Sequence, residues 1–120
     1  MNDLEDRIVS FSARCVKVCT ALPAKMVGSA SFADQLFRSS TSVAANYADA
    51  SEAESSKDFV HKLKVSMKEL SETRIWLKLI GEAGYVEKRK LLKLIGESLE
   101  LSRILAASVV TAKRKASERK

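Results

Sequence analysis

Residues 32–54 read FADQLFRSSTSVAANYADASEAE, and this stretch decides the fold. Its large apolar side chains recur at helical spacing, so that Leu36, Val43 and Tyr47 share one face of a helix. Small side chains, mostly serine and alanine, occupy the positions from Ser39 to Ala48 around that face. Because small side chains let a second helix approach closely, the stretch predicts a helix that packs tightly against a neighbour.

Three further segments show amphipathic helical spacing. The predicted helices span about residues 3–21, 32–54, 58–82 and 87–115, and a basic, frayed tail follows at 116–120. Pro23 ends the first helix, and Gly84 is a candidate C-terminal cap for the third. Four helices with mostly short links predict one all-α domain over residues 1–120, folded as an antiparallel up-and-down four-helix bundle.

The composition excludes several protein classes. Four glycines and one proline in 120 residues leave few turns, which favours long helices over many short strands. Two cysteines give no disulfide framework, so a reducing compartment is expected. The acidic start is unlike a signal peptide, and no uncharged run approaches the ~18–20 residues of a membrane span. A cytoplasmic protein without a membrane partner is predicted.

No pattern in the sequence predicts catalysis. Cys15 and Cys19 have a spacing that two metal ligands can share, but both lie on or beside an apolar stripe and are expected to pack in the core. His61 is the only histidine, and no base stands near the serine run at 39–42 to activate a nucleophile. We therefore predict no enzyme, no metal site and no cofactor.

The basic residues are the main functional signal. Residues 83–120 hold ten basic and four acidic residues, which accounts for the whole net charge of +6. Such clusters can neutralise nucleic-acid phosphates, although a solvated surface has the same composition. Three candidate sets for RNA or DNA binding are the third-helix residues Lys57, Lys64 and Lys68, the fourth-helix residues Arg89, Lys93 and Arg103, and the tail residues Lys113, Arg114 and Lys115.

The third and fourth helices carry more apolar surface than one bundle core requires. A helix that is apolar almost all round is buried on more than one side, and in a small domain the second side is expected to meet another subunit. The sequence therefore predicts self-association. The candidate interface residues are Val65, Ile75, Trp76, Leu79, Leu94, Leu101 and Leu105.

The segment from Asp34 to Ala50 resembles the motif Q-[IL]-x-R-[AS]-[AS]-x-S-[IV]-x-x-N-[IY]-A-[ED]-[GA]. That motif occurs in small bacterial four-helix-bundle proteins encoded in intervening sequences within 23S ribosomal RNA genes. A second block fits the same family and consists of Ser56-Lys57-Asp58-Phe59, Leu63, Ser66, Glu69, Leu70, Glu72, Trp76-Leu77 and Gly84-Tyr85. The resemblance covers about residues 31–86.

The resemblance implies a ring-shaped homopentamer and a basic surface able to bind nucleic acid. The family includes the accessory variability determinant of diversity-generating retroelements, for which a reverse transcriptase partner is implied. Arg38 and Asn46 match the polar motif positions, without an assigned binding role. Three functions stay open: an oligomer that binds RNA or DNA, a protein-interaction module or accessory subunit, and an antitoxin-like or regulatory partner.

Overall fold

The computed structural model describes residues 3–118 and contains four α-helices, with no β-strand among these residues. The helices are α1 (Asp3–Ala21), α2 (Ser29–Ser51), α3 (Ser56–Glu82) and α4 (Lys88–Glu118). The prediction of an all-α chain with four helices is confirmed. None of the described helices is long and apolar enough to cross a membrane.

α2 and α4 have different bounds from those predicted. Gly28 has φ 82°, a left-handed conformation that suits glycine, and its carbonyl accepts the Phe32 N–H at 2.9 Å. α2 therefore begins at Ser29 and ends at Ser51, instead of covering 32–54. α4 begins one residue later than predicted and continues to Glu118, so residues 116–118 of the predicted frayed tail are helical. The last two tail residues, 119–120, lie outside the described residues.

α3 has a defined cap at each end. The Ser55 hydroxyl accepts the Asp58 N–H at 3.0 Å, which starts the helix two residues before the predicted position 58. At the other end, Gly84 has φ 79°, and the Tyr85 N–H donates to the Ile80 carbonyl at 3.0 Å. This bond is typical of a Schellman cap and confirms the predicted role of Gly84.

The helices pack around one core, in which α2 contacts α1 and α3, and α4 contacts α3 and α1. Each helix contributes large apolar side chains to it. The buried apolar residues are Ile8, Phe11, Cys15, Leu36, Val43, Tyr47, Ala50, Leu63, Leu70, Leu77, Ile80, Leu91, Leu94, Leu101, Leu105 and Val109. Ser66 of α3 bonds to Val43 of α2, and Thr73, further along α3, bonds to Ser39, which comes earlier in α2. The residue numbers of these contacts therefore increase along α3 and decrease along α2.

Buried hydroxyl groups join α2 to both of its neighbours. Thr73 Oγ1 donates to Ser39 Oγ at 2.9 Å, and Ser66 Oγ donates to the Val43 carbonyl at 2.8 Å. On the other side of α2, Ser12 Oγ donates to the Ser40 carbonyl at 2.7 Å. We call these three contacts the hydroxyl seam. Because each donor has a partner, the seam avoids the ~1–3 kcal/mol cost of an unsatisfied buried group.

Three predicted interface residues belong to the core of the single chain. Leu94 is 4% exposed, and Leu101 and Leu105 are 0% exposed. The prediction that these side chains face another subunit is wrong, because α4 turns them towards the interior between α1 and α3. The exposed apolar side chains of α4 include Leu92 and Leu99 instead.

The other predicted interface residues, all on α3, differ in exposure. Trp76 is half-buried and packs edge-on against Phe32, with 6.0 Å between ring centroids, so it stabilises the α2–α3 contact within one chain. Val65 is also half-buried. Ile75 and Leu79 are 54% and 43% exposed, so they remain available to a second molecule.

The hydroxyl seam predicts a strong size limit at Ser39, which is fully buried. Ser39→Leu should lower the free energy of unfolding by about 1–3 kcal/mol because the larger side chain overpacks the contact. It also removes the hydroxyl that accepts from Thr73. Denaturant titration measures the change. Ala45→Leu is the matched control, because Ala45 lies on the exposed side of α2 and its effect should stay within about 0.5 kcal/mol. Equal stability of Ser39→Leu and wild type would contradict close packing at the seam.

Candidate nucleic-acid interface

Lys57, Lys64 and Lys68 lie on the outer face of α3, and all three are exposed. Ser66 and Thr73 face α2 through the hydroxyl seam, which fixes the rotation of α3 about its axis. At 100° per residue, the three lysines then lie roughly opposite the seam. The predicted third-helix set therefore forms one outward-facing strip.

The end of α4 brings a further lysine to this strip. The side chains of Lys64 and Lys113 lie close to each other, and the contact with the Lys113 amino group, together with charge repulsion, lowers the pKa of Lys64. Lys57 and Lys113 also line one shallow cleft between α3 and α4, with a volume of about 320 Å³. The third-helix set and part of the tail set thus form a single surface, although 49 positions separate Lys64 from Lys113 in the sequence.

We call this part of the bundle the basic end. It consists of Lys57, Lys64, Lys68 and Lys113 and also of Lys115, which lies about 160° around α4 from Lys113 and lines a different cleft. Within residues 3–118, none of these five lysines lies within ion-pair distance of a carboxylate. Their charges are therefore not neutralised locally and are available to an anionic ligand.

The remaining tail and fourth-helix candidates are differently placed. Arg114 reaches Glu118 at 3.9 Å, Arg103 pairs with Glu100 at 3.1 Å, and Arg89 pairs with Glu87 at 2.8 Å. Each arginine therefore has an acidic neighbour on its own helix or just before it. Lys93 is exposed near the start of α4, whereas the basic end lies near its C-terminus. The structure does not join the predicted fourth-helix set to the basic end.

Arg38 makes an ion-pair network between α2 and α3. Its guanidinium donates to Glu69 at 3.2 Å and also to Glu72, and the hydrogen bond from Arg38 is the main reason why the pKa of Glu72 is lowered. Arg74, also on α3, donates instead to Ser98 Oγ on α4 at 3.1 Å.

Asn46 also has a local partner, since its Nδ2 donates to the Ser42 carbonyl at 2.9 Å. The two polar motif positions, Arg38 and Asn46, are therefore engaged within the chain. Arg38 links two helices, and Asn46 bonds back to the preceding turn of α2. These contacts give Arg38 and Asn46 a structural role, whereas the sequence assigned neither residue a role.

An exposed apolar surface lies at the opposite end of the α3–α4 pair. Arg74 bonds to Ser98, which places the C-terminal half of α3 beside the N-terminal half of α4. Four large apolar side chains in these halves are between 43% and 62% exposed. We call this surface the apolar face, and it consists of Ile75, Leu79, Leu92 and Leu99. Two of its members, Leu92 and Leu99, were not among the predicted interface residues.

The cysteines occupy the positions expected for packing. Cys15 is fully buried, and burial raises its pKa to about 12, which keeps the thiol protonated. Cys19 is half-buried, and burial also raises its pKa. Across residues 3–118, no group of three or more histidine, cysteine, aspartate or glutamate side chains is arranged to hold a metal ion.

Comparisons with known proteins agree with the motif resemblance. A family model described as 23S rRNA-intervening sequence protein matches residues 3–107. Among solved structures, the chain is similar to a protein with unknown function from the S23 ribosomal protein family of Bacteroides thetaiotaomicron VPI-5482. The two share 28% sequence identity with a TM-score of 0.80, over 88% of this chain and 97% of that one. No curated protein matches the chain.

Proposed function

The chain belongs to the 23S rRNA-intervening sequence protein family, and on that premise we propose that it is a non-enzymatic, self-associating helical bundle that binds RNA or DNA through its basic end. The observation that carries this proposal is the grouping of five exposed lysines at one end of the bundle, none of which pairs with a carboxylate within residues 3–118. Two of them, Lys64 and Lys113, come from different helices and stand close enough to repel each other. A phosphate group bound between them would relieve that repulsion.

Binding of this kind is directed at the phosphate backbone. Lysine is a compact charge on a flexible stem, which suits phosphate contacts better than the reading of base edges. Neutralised phosphates release counterions, so affinity should fall steeply as salt increases. We therefore propose tight binding at low salt with little dependence on base sequence.

Self-association is the second part of the proposal, and the apolar face supports it. Large apolar side chains exposed on neighbouring halves of two helices in a small domain are typical of a protein–protein contact. We propose that the chains are antiparallel up-and-down bundles that form a ring of five copies in the cytoplasm. A ring would repeat the basic end around its axis and extend the positive surface.

The apolar face also supports the alternative function of a protein-interaction module. In that case the face would dock a different protein, for example a reverse transcriptase, and the lysines would only keep the bundle soluble. The two functions differ in what happens when nucleic acid is added, and in whether the purified chain is already an oligomer.

The apolar face should determine the mass of the particle. Light scattering at micromolar concentration should give several times the 13.2 kDa of one chain. Leu79→Lys should reduce that mass towards one chain while the helical circular dichroism is preserved, because Leu79 is 43% exposed in the bundle. Val27→Lys is the control, since Val27 is 91% exposed in the α1–α2 loop and should leave the mass unchanged. A monomeric wild type across this range would exclude self-association through this face.

The basic end should control nucleic-acid affinity. The double variant Lys64→Glu with Lys113→Glu should weaken binding of labelled RNA and DNA in a titration at two salt concentrations. It should also reduce the slope of log affinity against log salt by about one for each lost phosphate contact. The control is Lys25→Glu with Lys93→Glu, which makes the same charge change at exposed positions outside the basic end.

Two results would contradict the proposal. Equal weakening by both double variants would mean that total charge, not the basic end, determines binding. Failure of the wild type to bind at low salt would favour the protein-interaction module, and the five lysines would then be ordinary solvated surface.

A further inference from the structure

An open groove lies beside the basic end because α1 is much shorter than α4. α1 has 19 residues and α4 has 31, a difference of about 18 Å at 1.5 Å per residue. Val18 lines a cleft with Leu94, and Arg7 pairs with Glu97, so these contacts of α1 lie in the first third of α4. Further along α4, the side that faces α1 lines a groove of about 590 Å³ instead.

The groove combines an apolar floor with hydroxyl groups and one cation. Its lining residues are Ser56, Phe59, Ile104, Ala107, Ser108, Thr111, Ala112 and Lys115. Phe59 is half-buried and packs against the core, so its ring is held in a fixed position. The small side chains of α4 leave room above this floor. A flat, partly apolar ring with a polar edge matches such a lining.

The groove adjoins the lysine cleft of the basic end. Ser56 lines both the groove and the cleft that holds Lys57 and Lys113. Lys115 belongs to the basic end and also lines the groove. A nucleic-acid strand whose phosphates contact these lysines would therefore place its sugars and bases at the mouth of the groove.

We infer that the groove receives unpaired nucleobases of a strand whose phosphates lie on the basic end, so that the preferred ligand is single-stranded. This inference rests on the proposed function. Bases in a duplex are stacked and paired inside the helix, so only a single strand can turn a base into the groove. Base contacts with aromatic and apolar side chains tolerate any sequence, because every base has a flat π-face.

The charge pattern favours a nucleic-acid strand over a peptide as the occupant. One lysine, Lys115, lines the groove, and the adjoining cleft that shares Ser56 holds Lys57 and Lys113. These cations suit the phosphates of a strand whose bases enter the apolar groove. A second copy of the chain or an acidic amphipathic helix is the competing occupant, and the experiment below distinguishes it.

The test compares three fluorescent DNA probes of equal length at low salt: an oligothymidylate, an abasic strand with the same phosphates, and a duplex. The wild type should bind the oligothymidylate at least about fivefold more tightly than the abasic strand, the lower end expected for one stacked base. The abasic strand isolates the phosphate contribution. Equal affinity for these two single strands would overturn the inference.

The variant Ala107→Leu fills the groove without changing charge, and Ala107 is exposed, so folding should be preserved. It should reduce oligothymidylate affinity to that of the abasic strand and leave abasic and duplex binding unchanged. Ala13→Leu, at an exposed position on α1, is the matched control and should change nothing.

The outcomes separate this inference from the proposed function. Loss of all binding in the wild type contradicts both. If the wild type binds all three probes and Ala107→Leu changes none of these affinities, only the inference about the groove is contradicted. A change of particle mass in Ala107→Leu, without a change in oligothymidylate affinity, would identify the groove as a contact between subunits and overturn the inference.

Discussion

The hydroxyl seam is the constraint on which the rest of the structure depends. Ser39 and its small neighbours let α3 lie close to α2, and Thr73 and Ser66 reach across to bond there. A serine or threonine in a purely apolar contact would leave an unsatisfied group, so the bonds fix one rotation of α3. That rotation turns Lys64 outward and determines which surface carries the positive charge.

Because the helices differ in length, the two ends of the bundle have different surfaces. The short α1 covers the start of α4, where Arg7 pairs with Glu97, and leaves the later turns of α4 beside α3. There five exposed lysines group together, none of them paired with a carboxylate within residues 3–118, and the groove opens on the side of α4 that faces α1. At the other end, Leu79 and Leu99 remain exposed. One bundle thus presents a basic surface and an apolar surface at separate places, suited to two different contacts.

The sequence predicted the four helices because apolar spacing and capping residues are local signals, and Gly84 was assigned correctly for that reason. It also predicted the family, through the motif in α2 and α3. Leu101 was predicted to face another subunit, but it lies in the core. A helix that is apolar on most sides has several faces that can be buried, and only the packing of the neighbouring helices determines which of them is. The approach of Lys113 to Lys64 joins positions far apart in the chain, so it required the packed structure.

Binding of nucleic acid at the basic end is tested most directly by protection of lysines from acetylation, measured by mass spectrometry with and without a short single strand. This measurement uses the wild-type protein and needs no substitution. Lys57, Lys64 and Lys113 should lose most of their reactivity when the strand is present, while Lys25 and Lys93 should keep theirs. Protection centred on Lys93, or equal reactivity of all lysines with and without the strand, would contradict a ligand site at the basic end.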